Sequence, residues 1–240
     1  MTDNPMRPAE KGSMSQVMSR KPVNPVAADG LLHSIWDELP SYAQCYMEPT
    51  FTDADAKAAG NLVFAAPNDW RGLIALCAYW IGLPNPAYRE IIDSVWNHDH
   101  HHLLKAARGG APMVRRMFSA AGFCIPLAGQ VTVYRGAFGV PPEVAARGLA
   151  WTTARDVACW FACRQGRDDR SLVISATVNA SDLLYWSNDR QEHEVIPRRP
   201  LPFTIDGRLS EWKKVADDLN EQRNKLSHAN IIEGQPHASH

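Results

Sequence analysis

The feature that most constrains this chain is a change of hydrophobic period near its middle. Up to Phe123 the apolar residues recur at helical spacing, and from Cys124 onward they alternate as strand residues do. In the first part, Asn68 and Asp69 can cap a helix whose Leu73, Leu76, Cys77 and Trp80 fall at i, i+3, i+4 and i+7, and Gly82 and Pro84 end it. A second helix is expected from Pro86 through Ile91, Ile92, Val95 and Trp96 to about Ala107, where Gly109-Gly110 stops it. A third, short one is expected over Met113 to Ala121. In the second part, Gln130–Tyr134, Leu149–Thr153, Ser171–Val178, Glu192–Pro197 and 201–205 read as strands. Short helices are expected over Pro141 to Ala146, after a Thr153/Asp156 capping box to about Gln165, and for one turn from Ser181 through Leu184. Leu209, Trp212, Ala216, Leu219 and Leu226 form the apolar stripe of a long amphipathic helix, expected to pack on the core. Helices first and a strand-rich half afterwards make an α+β fold. The expected partition is a disordered leader (1–30), a helical region (31–123), a sheet core (124–206) and a C-terminal helix and tail (207–240).

Composition narrows the function classes. Net charge is −1, from 25 basic and 26 acidic side chains spread evenly over both halves. That excludes a basic nucleic-acid arm, an acidic tail or a polybasic membrane anchor as a dominant feature. A local groove using Arg115, Arg116, Arg198 and Arg199 would vanish in the total. Hydrophobic residues make up 45%, enough for a core at 240 residues. Met1–Gly30 has four prolines and no apolar core, so it does not read as a signal peptide. The uncharged apolar stretch Leu73 to Leu83 falls well short of the roughly 20 residues of a membrane span. Cys45, Cys77, Cys124, Cys159 and Cys163 are odd in number and include no CxxC pair, which suits free thiols in a reducing cytoplasm. Cys159 and Cys163 read as small apolar core residues.

Three strand ends carry the chemistry, in the order Tyr134-Arg135-Gly136, Trp151-Thr152-Thr153 and Arg190-Gln191-Glu192-His193-Glu194. If 192–197 is one strand, Glu192 and Glu194 project from one face and His193 from the other. Neighbouring carboxylates repel, and such pairs serve where one stabilises positive charge and the other acts as base. The plainer reading is an edge strand paired with Arg190 or Arg198. Arg135 offers a planar fork of donors for a diphosphate or carboxylate, and Gly136 lets a ligand approach the backbone. The hydroxyls of Thr152 and Thr153 can orient a carboxylate.

Together these segments resemble the Arg–Ser–Glu class of ADP-ribosyltransferases, in particular its small bacterial and phage members. That class has Arg on its first core strand, a Ser-Thr-Ser-like motif on the next, and a Glu/Gln-x-Glu turn and strand later. The matches here are Arg135, Thr152-Thr153 and Glu192-x-Glu194, with GLAWTT-ARDVACWFA resembling the strand and helix beneath the nicotinamide pocket. The resemblance covers residues 124–206, and 31–123 match no motif of the class. It implies that NAD is a substrate, cleaved to nicotinamide while ADP-ribose passes to a macromolecular acceptor. Glu194 would hydrogen-bond the ribose 2′-hydroxyl as positive charge builds at the oxocarbenium-like centre. Thr152 would hold Glu194, Arg135 would bind the phosphates, and Gly136 would grip the nicotinamide amide. Phe161 or Trp151 would flank the ring. Glu192 would deprotonate or orient the acceptor, and a Glu there goes with protein arginine. Relatives that modify RNA or DNA keep that alternative open, as does a degenerate NAD-binding module. The family's company suggests a toxin or phage effector with a regulatory or antitoxin partner. Thr152 departs from the usual Ser by a methyl that restricts its rotamer.

His98, His100, His101 and His102, with Asp99, need separate weighing. On a helix His98 and His102 share a face at the two-ligand spacing of zinc sites. With no HExxH glutamate and no third ligand in sight, a solvated polar face is expected and no metal. His193 is expected to be structural.

Overall fold

Helix-spaced apolar residues and Gly/Pro stops place α1 at Asn68–Ile81 and α2 at Asn85–Ala106, much as the periodicity predicts. The computed structural model describes residues 60–233 apart from 62, 65, 67, 83, 84, 109 and 167. The expected leader, residues 31–59 and Cys45 lie outside the described residues. The chain divides into two compact units, Met1–Ala106 and Ala107–His240.

In the first unit, Ala75, Ala78, Ile92, Val95 and Leu103 of α1 and α2 are fully buried. Gly72 is what lets the two helices approach, because a Cβ there would collide with the His102 carbonyl. A largely buried ion pair joins them, Arg71 Nη1 to Asp99 Oδ2 at 2.5 Å. Removing one partner of such a pair costs about 3–5 kcal/mol, because the other charge is left buried and unmatched. At Asp99 the backbone of α2 leaves helical values (φ −138°, ψ 33°).

The second unit begins with α3, Ala111–Ala121, so this helix goes with the sheet and not, as the expected boundary at 123 had it, with the helices before it. Pro112 suits its first turn, and Gly122 ends it in the left-handed conformation (φ 61°). Its buried face is Val114, Met117, Phe118 and Ala121. Then come β1 (Gln130–Phe138), α4 (Pro142–Ala146), β2 (Trp151–Thr152), α5 (Arg155–Cys163), β3 (Ser171–Asn179) and a 3-10 turn at Ala180–Asp182. They are followed by β4 (Leu183–Ser187), β5 (Glu194–Pro197), β6 (Thr204–Ile205) and α6 (Leu209–Glu233). The strands form one six-stranded antiparallel sheet, ordered β4-β5-β2-β1-β3-β6. The fold is therefore mixed helix and strand on an antiparallel sheet.

Three local expectations are corrected. β1 does not stop at Tyr134: Arg135 and Gly136 stay paired with Ile174 and Val173 of β3. Helix is expected through Leu184, but Leu183–Ser187 is a strand paired with β5, and this β-prone run is better satisfied there. The Thr153/Asp156 capping box is not formed. Ala154 is the N-cap of α5, and Asp156 accepts a bond from the Val157 N–H at 2.9 Å.

Two apolar layers sandwich the sheet. Val133, Trp151, Ile174 and Val195 pack with Ala145 and Ala146 of α4 on one side. Ala158, Cys159, Ala162 and Cys163 of α5 pack with Trp212 and Ala216 of α6 on the other, as expected for both cysteines and for the Leu209, Trp212 and Ala216 part of the last helix's stripe. No helix among the described residues is long and apolar enough to cross a membrane.

Two outcomes follow. A Cβ on Gly136 would run into the Ala158 carbonyl of α5. Gly136→Ala should therefore cost about 1–3 kcal/mol of overpacking and lower Tm by several degrees in a thermal melt. Burial pushes the thiols of Cys77 and Cys159 up to about 12, so almost no reactive thiolate forms at pH 8. An alkylating reagent at pH 8 should mark exposed Cys124 while Cys77 and Cys159 react only after denaturation, as peptide mapping would read.

Candidate active site

The sheet gathers what the sequence scatters. Arg135, Thr152 and Glu194 are separated by 17 and 42 residues, yet they lie on the adjacent strands β1, β2 and β5. Tyr134 is registered against Thr152, and Thr152 against Glu194. Residues paired across antiparallel strands share a face, so Thr152 and Glu194 look out on the same side.

Arg135 is built in from below. Its guanidinium lies against Gly148, where any Cβ would overlap it, and its Nη1 donates to the Ala150 carbonyl. Its Nε is buried with no hydrogen-bond partner among the described residues. Burial pushes the Arg135 pKa down from its ordinary value, the Glu194 carboxylate opposes that shift, and the Arg115 charge adds to it. Arg115, from α3, is buried and donates to the carbonyls of Pro197 (3.1 Å), Gly148 (3.3 Å) and Arg147 (3.4 Å). It thereby ties the end of β5 to the loop on which Arg135 rests. The expected surface groove using Arg115 is corrected accordingly.

The two glutamates converge by a different route from strand alternation. Only Glu194 belongs to β5; Glu192 precedes it in a turn. Gln191 (φ 54°) and His193 (φ 47°), on either side of Glu192, hold left-handed conformations that cost side-chain-bearing residues energy. The end of β2 grips this turn. Thr152 Oγ1 donates to the Glu192 carbonyl at 2.6 Å and accepts from the Ala154 N–H at 3.0 Å, while the Thr153 N–H donates to the His193 carbonyl at 3.0 Å. From the other side, Asn188 accepts from the His193 N–H through Oδ1 (3.3 Å) and from the Gln191 N–H through its carbonyl (2.9 Å). A hydroxyl has one proton, and Thr152 spends it on the Glu192 backbone, not on the Glu194 carboxylate as the resemblance implies. Arg190 Nη2 then reaches both acids, Glu192 Oε2 at 2.9 Å and Glu194 Oε2 at 3.4 Å. The Arg190 pairing foreseen by the plainer reading is therefore present, around a Glu194 that is only 7% exposed.

Other expected residues stand elsewhere. Trp151 is 2% exposed in the core with Val133 and Val195, so it is a packing residue and not a flank for a ligand ring. Half-buried Phe161 meets Trp160 edge-on at 5.0 Å and lies under the Arg164 guanidinium at 4.5 Å. Gly136 serves the approach of α5 to β1. In the first unit, the expected solvated His98–His102 face is interrupted by buried Asp99, which pairs with Arg71. The non-helical backbone at Asp99 falls between His98 and His102. No metal-binding group of three or more side chains is found among the described residues. Sequence reading missed the roles of Arg115, Gly148 and Asn188. The one available signal for Arg115 was its place three before Phe118 on the apolar face of α3.

No family model, curated protein or solved structure matches the chain.

Thr152→Val should lower stability by about 0.5–1.5 kcal/mol, the net value of a buried hydrogen bond. It should also speed amide exchange across 188–194, whereas Thr152→Ser should keep both near wild type in hydrogen-exchange mass spectrometry.

Proposed function

We propose that this chain is a mono-ADP-ribosyltransferase that takes ADP-ribose from NAD, releases nicotinamide and modifies a macromolecular acceptor, first of all protein arginine. The observation that carries the reading is the adjacency of Arg135, Thr152 and Glu194 on β1, β2 and β5, with Glu192 turned back beside Glu194. The three segments are neighbours in one sheet, although alternation puts Arg135 on the Trp151 face and Thr152 and Glu194 on the other. That neighbourhood supports the resemblance to an ADP-ribosyltransferase core.

In this reading Glu194 acts on charge that develops only as the nicotinamide bond breaks. Its carboxylate accepts a hydrogen bond from the ribose 2′-hydroxyl and stabilises the oxocarbenium-like sugar more than the ground state. Its burial strengthens the effect, because water screens it little. Glu192 takes the acceptor's proton. Arg135, whose guanidinium is a planar fork of donors and whose Nε has no partner among the described residues, is the cation assigned to the phosphates. Thr152 and Thr153 hold the strained turn so that both acids stay in register. The free, buried thiols fit the expected cytoplasmic setting.

Glu194→Gln should keep the fold and lower transfer by about two to three orders of magnitude, the usual effect of removing one transition-state electrostatic contact. Glu192→Ala should lose transfer yet keep part of the NAD hydrolysis. Both are read by nicotinamide release and by label transfer from labelled NAD, with the label's nuclease and protease sensitivity separating nucleic-acid from protein acceptors. Absence of nicotinamide release with the wild-type chain and any lysate would sink the enzyme reading, and NAD affinity without turnover would leave a binding module.

A further inference from the structure

We propose that the cleft where the segment before β1 meets the turn into β4 is a second binding site, which takes a nucleoside 5′-monophosphate. It stands apart from the two acids and does not depend on the reading above. On β4 and β5, Glu194 is registered with Ser187, while the cleft adjoins the opposite end of the pair, where Leu183 is registered with Pro197. Glu194 and Pro197 stand at the two ends of β5, roughly 10 Å apart in an extended strand.

The cleft has a volume of about 590 Å³, in the range of small-molecule sites. Backbone hydrogen bonds stitch its three segments together. The Ala180 N–H donates to the Gly129 carbonyl at 2.8 Å, and the Arg198 N–H donates to the Asp182 carbonyl at 2.8 Å. On the wall, the Phe123 ring is braced edge-on against buried Tyr185, with ring centres 4.9 Å apart. The cleft is therefore formed before a ligand arrives, and little ordering opposes binding.

Its lining combines an apolar part with a few polar groups. Half-buried Phe123, Ile125 and Leu127 offer apolar surface for a flat base. Arg198 is the one charged residue of the lining, and it has no acid partner among the described residues. Its Nη1 donates to Ser119 Oγ of α3 at 3.3 Å, which steadies the fork and leaves its other N–H groups for a phosphate. Asn179 and Ser181 are exposed, and their side chains have no hydrogen-bond partner among the described residues. The Asn179 amide carries a donor and an acceptor side by side, the complement of an adenine edge, and the Ser181 hydroxyl suits a sugar hydroxyl. A bare phosphate would leave the apolar wall wet, and an apolar acid would leave Asn179 and Ser181 unanswered. A nucleotide answers both.

The test titrates the purified full chain with adenosine monophosphate by isothermal titration calorimetry, with adenosine and inorganic phosphate as parallel probes. One nucleotide per chain should bind with a Kd below about 1 mM, adenosine more weakly and phosphate not measurably. Arg198→Gln should weaken the nucleotide about tenfold and leave adenosine unchanged. Ala128→Trp, at an exposed position of the lining, should block both while Tm stays near wild type. Glu194→Gln should bind the nucleotide as the wild type does. A free nucleotide and the 5′ end of a nucleic acid carry the same unit, so a 5′-phosphorylated oligoadenylate is titrated beside it. Whichever binds tighter names the source, and either order supports the site. No binding by the wild-type chain overturns the inference, as does binding that Arg198→Gln and Ala128→Trp leave intact. Phosphate bound as tightly as the nucleotide would mark a bare anion site, and loss in Glu194→Gln would put the nucleotide at the acids; each also overturns it. Nicotinamide release tests the enzymatic reading separately, and none of these outcomes bears on it.

Discussion

Strand β2 contributes two residues, Trp151 and Thr152, and through them alone the described strands join into one sheet. On one side stand β4 and β5 with Glu194; on the other stand β1, β3 and β6 with Arg135. So short a strand offers few ladder bonds, and side chains make up the difference. The indole of Trp151 is almost wholly buried, a burial of roughly 150–250 Å² of mostly apolar surface for such a side chain. Its Nε1 is buried without a partner among the described residues, a penalty the packing outweighs. Arg115 adds charge-assisted bonds between the end of β5 and the loop before β2.

The site inherits this arrangement. Arg135 lies against Gly148 and Ala150, in the stretch that leads into β2, and Arg115 holds the Arg147 and Gly148 carbonyls of the same stretch. The Glu192 and His193 carbonyls are held from the other end of β2 by Thr152 and Thr153. One two-residue strand therefore sets the spacing between the cationic and the acidic parts of the site. In a chain of net charge −1 the positive charge at the candidate site comes from single arginines and not from a broad positive field.

Much of the fold was legible because periodicity reports burial, and burial made these elements. The helices at 68–81, 85–106, 142–146 and 155–163 and the long strands β1 and β3 all carry that signal. The site was legible as a set of residue types at strand ends, but its geometry was not. Reading 192–194 as a continuous strand put both acids on one face by alternation. The chain brings them together instead by two left-handed residues, of which Gln191 carries no residue-type signal and His193 only the mild preference it shares with Asn and Asp. Gly136 was read as room for a ligand, when the missing Cβ makes room for a helix that arrives from later in the chain. Trp151 was read as a ring flank although its alternation with Thr152 places it in the core. These misses share a cause. They depend on what lies across the sheet, and local sequence does not contain that.

The left-handed pair Gln191 and His193 has a further consequence, in the number of shapes the turn can visit. Glycine would adopt either conformation without steric penalty, yet it would also open many others whenever the turn loosens. Residues with side chains pay the strain once and keep the loosened ensemble small. A turn of that kind has fewer alternative forms to leave before it closes again. Two mutually repelling carboxylates are then held side by side by backbone stiffness as well as by the Arg190 guanidinium between them.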